Sequence, residues 1–526
     1  MPTDVPIDPP RVLPEEIAAL RADLAASSYT SATVEQLLGP VAASALGREN
    51  PVPAHRALAP LPDPAAVLLR LFTLGAVVAR DQLETALPTL GVDGAERLGL
   101  VTPTDGSVRA LVDLAPYSAQ DDAGQIGWWI ASDLSELATS RPLGPEHVLG
   151  VGGASLTLAR ITPRAPVRKV LDLGCGGGIQ ALHASRHAEH VVATDLSERA
   201  LSFAAFNAAL NDIKIELRQG SLLEPVTGES FDLIVSNPPF VITPRTPEDD
   251  STTWTYRDGG RAGDTLLAEL LHDLPGHLAQ GGSAVMLGNW EITDPESWDA
   301  HPRTWLQDAG ADGVDAWVLQ REQEDPAQYA ETWVRDGGII DRDPQWAPLV
   351  GAWLDDLERR EVARIGFGYL LLRRPDAADP GSAPAASGPA PRPGALRTEQ
   401  VPATGSGALA PHLAAGLRAM STLADLDDAA LAAARPVRAE DVVERRHLTP
   451  GEWDPMLIEL VQGAGFARSV RADQQLAATV GALDGTLTLG QVIGAVCALT
   501  DADEEETLSR VLPVVRELII TGMVTL

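Results

Sequence analysis

The chain has 526 residues, 45% hydrophobic and 21% charged, so it can bury ordinary cores and is too long for one of them; about three domains are expected rather than a disordered polymer. Its formal net charge is −33, with Lys169 and Lys214 as the two lysines, and such a surface repels phosphates, which excludes avid non-specific binding to bare nucleic acid while leaving room for a local basic patch. Two distant cysteines, Cys175 and Cys497, exclude a disulfide framework or a Cys-rich zinc site, and with no basic-apolar leader and no apolar run of about 18 residues the expectation is a cytoplasmic protein with no membrane partner.

Residues 1–144 read as an N-terminal helical, winged-helix-like domain. Helical patterns cover 14–26 and 34–39, the second opened by a Thr33-x-x-Gln36 capping box, then Asp63–Leu74 and Arg80–Leu87. A hairpin follows, Leu100–Thr102 and Val108–Leu114 flanking a turn at Pro103–Ser107. Such a domain either binds nucleic acid or protein, or packs as a cover on its neighbour.

From 145 to 374 short apolar runs alternate with helical stretches, the mark of βαβ units and a mostly parallel, seven-stranded Rossmann-like sheet. Strands are expected at Val170–Leu173, Val191–Thr194, Ile215–Arg218, Leu233–Ser236, Ser283–Gly288 and Ile365–Arg373. Between the last two, about 289–360, an insertion carries Trp290, Trp298, Trp305, Trp317, Trp333, Trp346 and Trp353, most of them read as apolar anchors that pack it on the sheet, with the alternative that one or two line a substrate pocket. His183 and His187 stand at i, i+4, but two ligands make half a metal site, so no metal is expected. Residues 375–397 are Pro, Ala, Gly, Ser and Asp and read as a flexible linker. The rest, 398–526, reads as a second helical, winged-helix-like domain, with helices at Leu489–Ala498 and Asp503–Thr521, the latter opened by an Asp501-x-x-Glu504 capping box.

Three motifs in the middle domain carry chemistry. Val170-Leu171-Asp172-Leu173-Gly174-Cys175-Gly176-Gly177-Gly178 is a buried strand running into glycines that open a helix, where backbone can approach a ligand closely. The next strand ends in Asp195, an acidic residue able to accept both ribose hydroxyls of a nucleoside cofactor, a feature shared with dinucleotide enzymes. The discriminating motif is Ser236-Asn237-Pro238-Pro239-Phe240 at the end of the fourth strand. Two prolines supply no N–H and stiffen the backbone, so the Asn237 side-chain oxygen and the Pro238 carbonyl can both face one planar NH2 group, with Phe240 stacked on it.

These motifs resemble the class I methyltransferases, within them those that methylate planar nitrogens. Asn-Pro-Pro-Phe followed by Tyr256-Arg257-Asp258-Gly259-Gly260-Arg261-Ala262-Gly263-Asp264 is similar to the HemK-type branch, which modifies a release-factor glutamine at N5. The resemblance implies an enzyme that uses S-adenosyl-L-methionine, held by Asp172, Gly174, Cys175, Gly176, Gly178, Asp195 and Leu196. At Gln219-Gly220-Ser221-Leu222, where relatives place an acidic residue, Ser221 and the Leu222 backbone stand in for it. Asn237, Pro238, Pro239 and Phe240 form the reaction centre. The implied substrate is a protein glutamine, with translation machinery as the partner. An exocyclic amine of rRNA, tRNA or DNA is the alternative acceptor, since it is equally planar, and a non-catalytic cofactor-binding scaffold is the second alternative.

Overall fold

The protein, seen in a computed structural model, is described over residues 8–59, 61–121, 123–139, 141, 143–244, 260–376 and 393–526. Its centre is one eight-stranded sheet. The strands are β1 (Val167–Leu173), β2 (Ala188–Asp195), β3 (Glu216–Gln219), β4 (Phe231–Ser236), β5 (Leu278–Ile292), β6 (Asp315–Glu324), β7 (Arg364–Arg373) and β8 (Leu396–Gln400). Their spatial order is β3-β2-β1-β4-β5-β7-β6-β8. The first five run parallel, β7 is antiparallel to both β5 and β6, and β8 lies parallel to β6. This is the Rossmann-like, doubly wound arrangement expected from the sequence, with an eighth strand added at the β6 edge.

Both faces of the sheet are covered, which is why its strands are apolar runs rather than alternations. Leu171, Leu173, Val192, Ile234, Ala284 and Met286 join one core, while Val170, Val191, Ala193, Leu233, Val235 and Val285 join the other, the two-residue period of a pleated strand. The first core is closed by α4 (Thr265–Asp273, following α1–α3) through Leu267, Leu270 and Leu271. The second is closed by α1 (Gly153–Ile161), α2 (Ile179–Ala184) and α3 (Glu198–Leu210), and also by a long helix of the C-terminal module, α7. Helices α5 (Pro326–Asp336) and α6 (Trp346–Arg359) sit between β6 and β7, and α7 spans Leu409–Ala424.

The N-terminal module opens with helices Pro14–Ala26, Ser31–Leu46 and Val52–Leu58 and then runs helix, strand, helix, helix and a hairpin of Val101–Thr104 and Ser107–Ala110, with Val78–Ala79 completing a three-stranded sheet. Its core takes in Phe203, Phe206 and Leu210 of α3, so that helix is apolar on opposite sides and belongs to two cores at once. Arg21 donates to the carbonyls of Leu210 and Ala209 at 2.9 and 2.8 Å and so caps the end of α3. A second hairpin, Asp113–Asp121 with Gly124–Ser132, was not foreseen; it leaves the module and lays Ile126, Trp128 and Ile130 against Ile179 and Leu182 of α2.

Several sequence expectations are corrected. The Trp-rich stretch is not an insertion as a whole, because it contains β6, a strand of the sheet paired on both sides. Trp290 and Trp317 are 0% exposed and belong to the sheet cores. Between its strands the stretch holds the short helices Ala300–Trp305 and Gln307–Ala311 before β6 and α5 and α6 after it. The expected linker ends early: β8 begins at Leu396 and pairs with β6 from Ala316 to Gln320, while residues 377–392 of that stretch lie outside the described residues. The second helix starts at Ser31 with Thr30 as its cap, whose side chain accepts from the Thr33 N–H, so Thr33 is not the cap. The last helix is capped by Asp503, which accepts from Glu506, while Asp501 closes the preceding helix in a left-handed conformation. In the C-terminal module the strands 442–448, 455–462 and 469–472 precede the three last helices, and the final strand, Val524–Thr525, pairs back with Val437–Arg438. No hairpin follows those helices, in contrast to the winged-helix order. Among the described residues no helix is long and apolar enough to cross a membrane.

Candidate active site

The strand order reverses at β1, whose neighbours β2 and β4 connect in opposite directions, and in doubly wound sheets ligands bind at the carboxyl ends of the strands at such a point. A cavity of about 750 Å³ opens there. Its lining comes from the β1 loop (Asp172, Gly174, Cys175, Gly176), the end of β2 (Asp195, Leu196), the end of β3 (Ser221, Leu222) and the end of β4 (Asn237, Pro238, Pro239, Phe240). Twelve of the thirteen sequence-predicted residues thus meet in one cavity. Gly178 does not line it. That glycine precedes α2 with φ +85°, and a Cβ there would come 3.1 Å from the Ala204 side chain, so its role is to let α2 pack on α3.

The β1 loop is folded by its own backbone and by two carboxylates. Gly174 and Cys175 N–H both donate to the Thr194 carbonyl at 2.9 Å, and Asp195 accepts from Gly176 N–H at 2.9 Å and from Ser197 N–H at 2.8 Å, one on each oxygen. Each Asp195 oxygen keeps a lone pair for another donor. Gly176 has φ +52° and nothing within 4 Å of where a Cβ would stand, so it is glycine for its left-handed backbone. Asp172, 1% exposed, accepts from the Ala181 N–H at 2.8 Å and ties β1 to the first turn of α2. Burial, with the neighbouring Asp195 charge, pushes its carboxyl up to about 7, and burial also raises Asp195 against the pull of its backbone donors. The Cys175 thiol is pushed well up by burial, so it is an unreactive wall.

At the other side of β1, Ser236 Oγ donates to the Leu173 carbonyl at 2.8 Å and locks the end of β4 against β1. Asn237 follows immediately. Its Oδ1 is buried and has no hydrogen-bond partner among the described residues, although a buried amide oxygen without a donor costs about 1–3 kcal/mol. An acceptor held unsatisfied at the wall of a ligand-sized cavity is a site prepared for an N–H donor. Of the glycine-rich segment expected after it, residues 256–259 lie outside the described residues. Gly260 and Arg261 line the cavity, and Asp264 anchors the segment by accepting from the Glu291 N–H at 2.9 Å and meeting His301 Nδ1 at 2.6 Å.

Sequence reasoning missed three contributors, His147, Asp336 and Asn207, and did not say which tryptophan lines the cavity. His147, whose imidazole pKa is lowered by burial, and the Trp333 and Asp336 side of α5 also line the cavity. Asn207, 0% exposed in the middle of α3, donates to Ala131 O and Gly177 O at 3.0 and 2.9 Å and accepts from Ala131 N–H at 2.7 Å. It joins the second hairpin to the glycine loop. A lone Asn inside the apolar run Phe203–Leu210 was the available signal.

Residues 151–253, which hold β1 to β4 and the cavity's loops, match the methyltransferase small domain family. Residues 26–111 and 414–526 match two families described only as domains of unknown function, DUF7059 and DUF7782. Among curated proteins the chain is similar to the ribosomal protein uL3 glutamine methyltransferase of Bradyrhizobium diazoefficiens, 32% identical over 29% of this chain and 50% of the relative. It is likewise similar to the release factor glutamine methyltransferases of Xylella fastidiosa, 33% identical over 36% of this chain and 66% of the relative, and of Lactococcus lactis, 40% identical over 29% and 57%. The chain thus spans between half and two thirds of the length of these relatives.

Proposed function

We propose that this chain transfers a methyl group from S-adenosyl-L-methionine to the side-chain amide nitrogen of a glutamine in a protein of the translation machinery. The observation that carries the reading is the buried, unpartnered Asn237 Oδ1 in the same cavity as Asp195. The residues present fit that cofactor: Asp195 has lone pairs left for the two ribose hydroxyls, the Gly176 side of the loop is open, and Ser221 with the Leu222 backbone borders the cavity end of β3. When bound, the cofactor supplies an electrophilic methyl on a sulfonium sulfur.

The chain's own task is positioning. An amide nitrogen is a poor nucleophile because its lone pair is delocalised, so the N–H bonds must be met by acceptors that favour developing positive charge on nitrogen. Asn237 Oδ1 accepts one N–H and the Pro238 carbonyl the other, Phe240 covers the planar group, and the proton lost after transfer leaves to solvent. A protein acceptor is favoured over a nucleic acid by the net charge of −33, which opposes a polyanion, and by the glutamine substrates in the names of the relatives.

The experiment is transfer of labelled methyl from S-adenosylmethionine into extract of cells lacking this gene, followed by separate protease and nuclease digestion. Label released by protease and recovered as methylglutamine supports the proposal. Label released by nuclease replaces the acceptor by a base amine, and cofactor binding without any transfer replaces the enzyme by a scaffold.

A further inference from the structure

Helix α5 approaches the reaction centre from outside the sheet's own strand order, and it does more than cover it. Tyr329, 0% exposed, sits in a cluster with Trp353 and Phe367, ring centroids 5.6 and 5.8 Å away. Its hydroxyl accepts from the Ile242 backbone N–H at 2.9 Å and from Asn289 Nδ2 at 2.7 Å. Ile242 ends the run Asn237-Pro238-Pro239-Phe240-Val241-Ile242. Asn289, on β5 and 1% exposed, shares with Pro239, Phe240 and Val241 the lining of a small cavity of about 10 Å³.

The run is therefore held at both ends. Ser236 Oγ on Leu173 fixes its start, and the Tyr329 hydroxyl on Ile242 fixes its end. Pro238 and Pro239 have no N–H to offer and little freedom in φ, so a restraint at Ile242 is passed back to Asn237 rather than absorbed. One turn further along α5, Trp333 lines the main cavity, so one helix face both shapes the cavity wall and holds the segment.

We propose that Tyr329 is a positioning residue for methyl transfer: its hydroxyl sets the backbone of the Asn237–Ile242 segment, and with it the direction of the Asn237 and Pro238 acceptors. It touches neither substrate nor cofactor. The inference rests on the methyl-transfer reading for its kinetic consequence and on the geometry alone for its structural one.

The full chain carrying Tyr329→Phe loses one oxygen and keeps the ring. Three readouts are compared with the parent: S-adenosylhomocysteine affinity by calorimetry, amide exchange of the 236–244 peptide by mass spectrometry, and kcat and KM for labelled methyl transfer into the gene-deleted extract. The expected result is unchanged S-adenosylhomocysteine affinity, exchange at Ile242 faster by about tenfold, and kcat lower by about tenfold with KM unaltered. Leu357→Ala, a packing loss in the same cluster that removes no hydrogen bond from the segment, lowers the melting temperature while leaving kcat at the parent value. Parental exchange at Ile242 in Tyr329→Phe overturns the proposal, as does a kcat loss in Leu357→Ala as large as in Tyr329→Phe. Should the parent chain transfer no methyl, the enzymatic reading falls, and exchange at Ile242 still decides the positioning role.

Discussion

Asn237 and Asp195 end the two strands that flank β1, and their side chains are prepared in opposite ways. Asp195 is already engaged by two backbone donors, which orient it, whereas Asn237 Oδ1 is engaged by none. Asn237→Ala is accordingly expected to reduce turnover by at least about 10²-fold with S-adenosylhomocysteine affinity within twofold of the parent, whereas Asp195→Ala weakens that affinity itself by about tenfold or more. Calorimetry beside the transfer assay separates the two, and normal turnover in Asn237→Ala removes the reaction centre from this position. Asp172 yields a pH prediction. Its folded pKa of about 7 lies above its ordinary value of 3.8, so the folded state holds this proton more tightly than the unfolded chain. Its contribution therefore falls as pH rises from about 4 to about 7, by roughly 1 kcal/mol per pH unit, and stays lost above that. In urea melts at pH 5 and pH 8, Asp172→Asn gains stability relative to the parent at the higher pH; an equal difference at both pH values shows that Asp172 ionises freely in the fold.

At the scale of the element, α3 is the joint of the molecule. Its Phe203 and Phe206 belong to the N-terminal core and its Ala204 to the sheet core, while Asn207 and Asn211 bond the backbone of Trp129 and Ala131 in the second hairpin. The buried Asn207 amide satisfies three backbone groups from two other elements. Replacing it with Leu leaves those groups unpaired at a cost of about 1–3 kcal/mol, seen as a lower denaturation midpoint and faster exchange over Gly124–Ser132. Cofactor affinity falls with it, because Gly177 loses the same amide. If exchange in the hairpin stays at the parental rate, the joint is apolar packing alone. The sequence reading did not bring out this double duty, since an Asn in an apolar run looks the same whether its partners are near or absent.

Across the whole molecule, the C-terminal module is built into the sheet. β8 pairs with β6, α7 covers Trp317 and Leu319, and a buried set joins them: Asp315 accepts from Ser421 Oγ at 2.5 Å and from Ala395 N–H at 2.7 Å, and Arg373 reaches the same Ser421 at 2.8 Å. Trp317 Nε1 donates to Glu399 at 2.8 Å, and Glu399 also meets Arg468 at 2.5 Å. A chain ending at residue 376 would uncover an indole that is now 0% exposed and open the β6 edge. It is expected to partition into the insoluble fraction on expression; a monomeric product with a cooperative melt would make the module an appendage.

The central domain was legible because its signals are local: four of the five parallel strands, β1, β2, β4 and β5, carry apolar runs, and the Gly174–Gly178, Asp195 and Asn237–Phe240 motifs sit at strand ends where the backbone itself makes the site. β6 was hidden because seven tryptophans suggested an insertion, and β8 because it follows a stretch of low-complexity composition. The sequence by itself determined the strands around the switch point, β1 to β5 and β7, and most of the residues that meet there, since strand period and glycine placement act within a few residues. Only the tertiary structure decided that Tyr329 holds Ile242, that Asn207 joins a hairpin to the glycine loop, and that residues 396–424 complete the sheet, because each depends on which distant backbone group a buried polar atom or a strand edge finds to satisfy it.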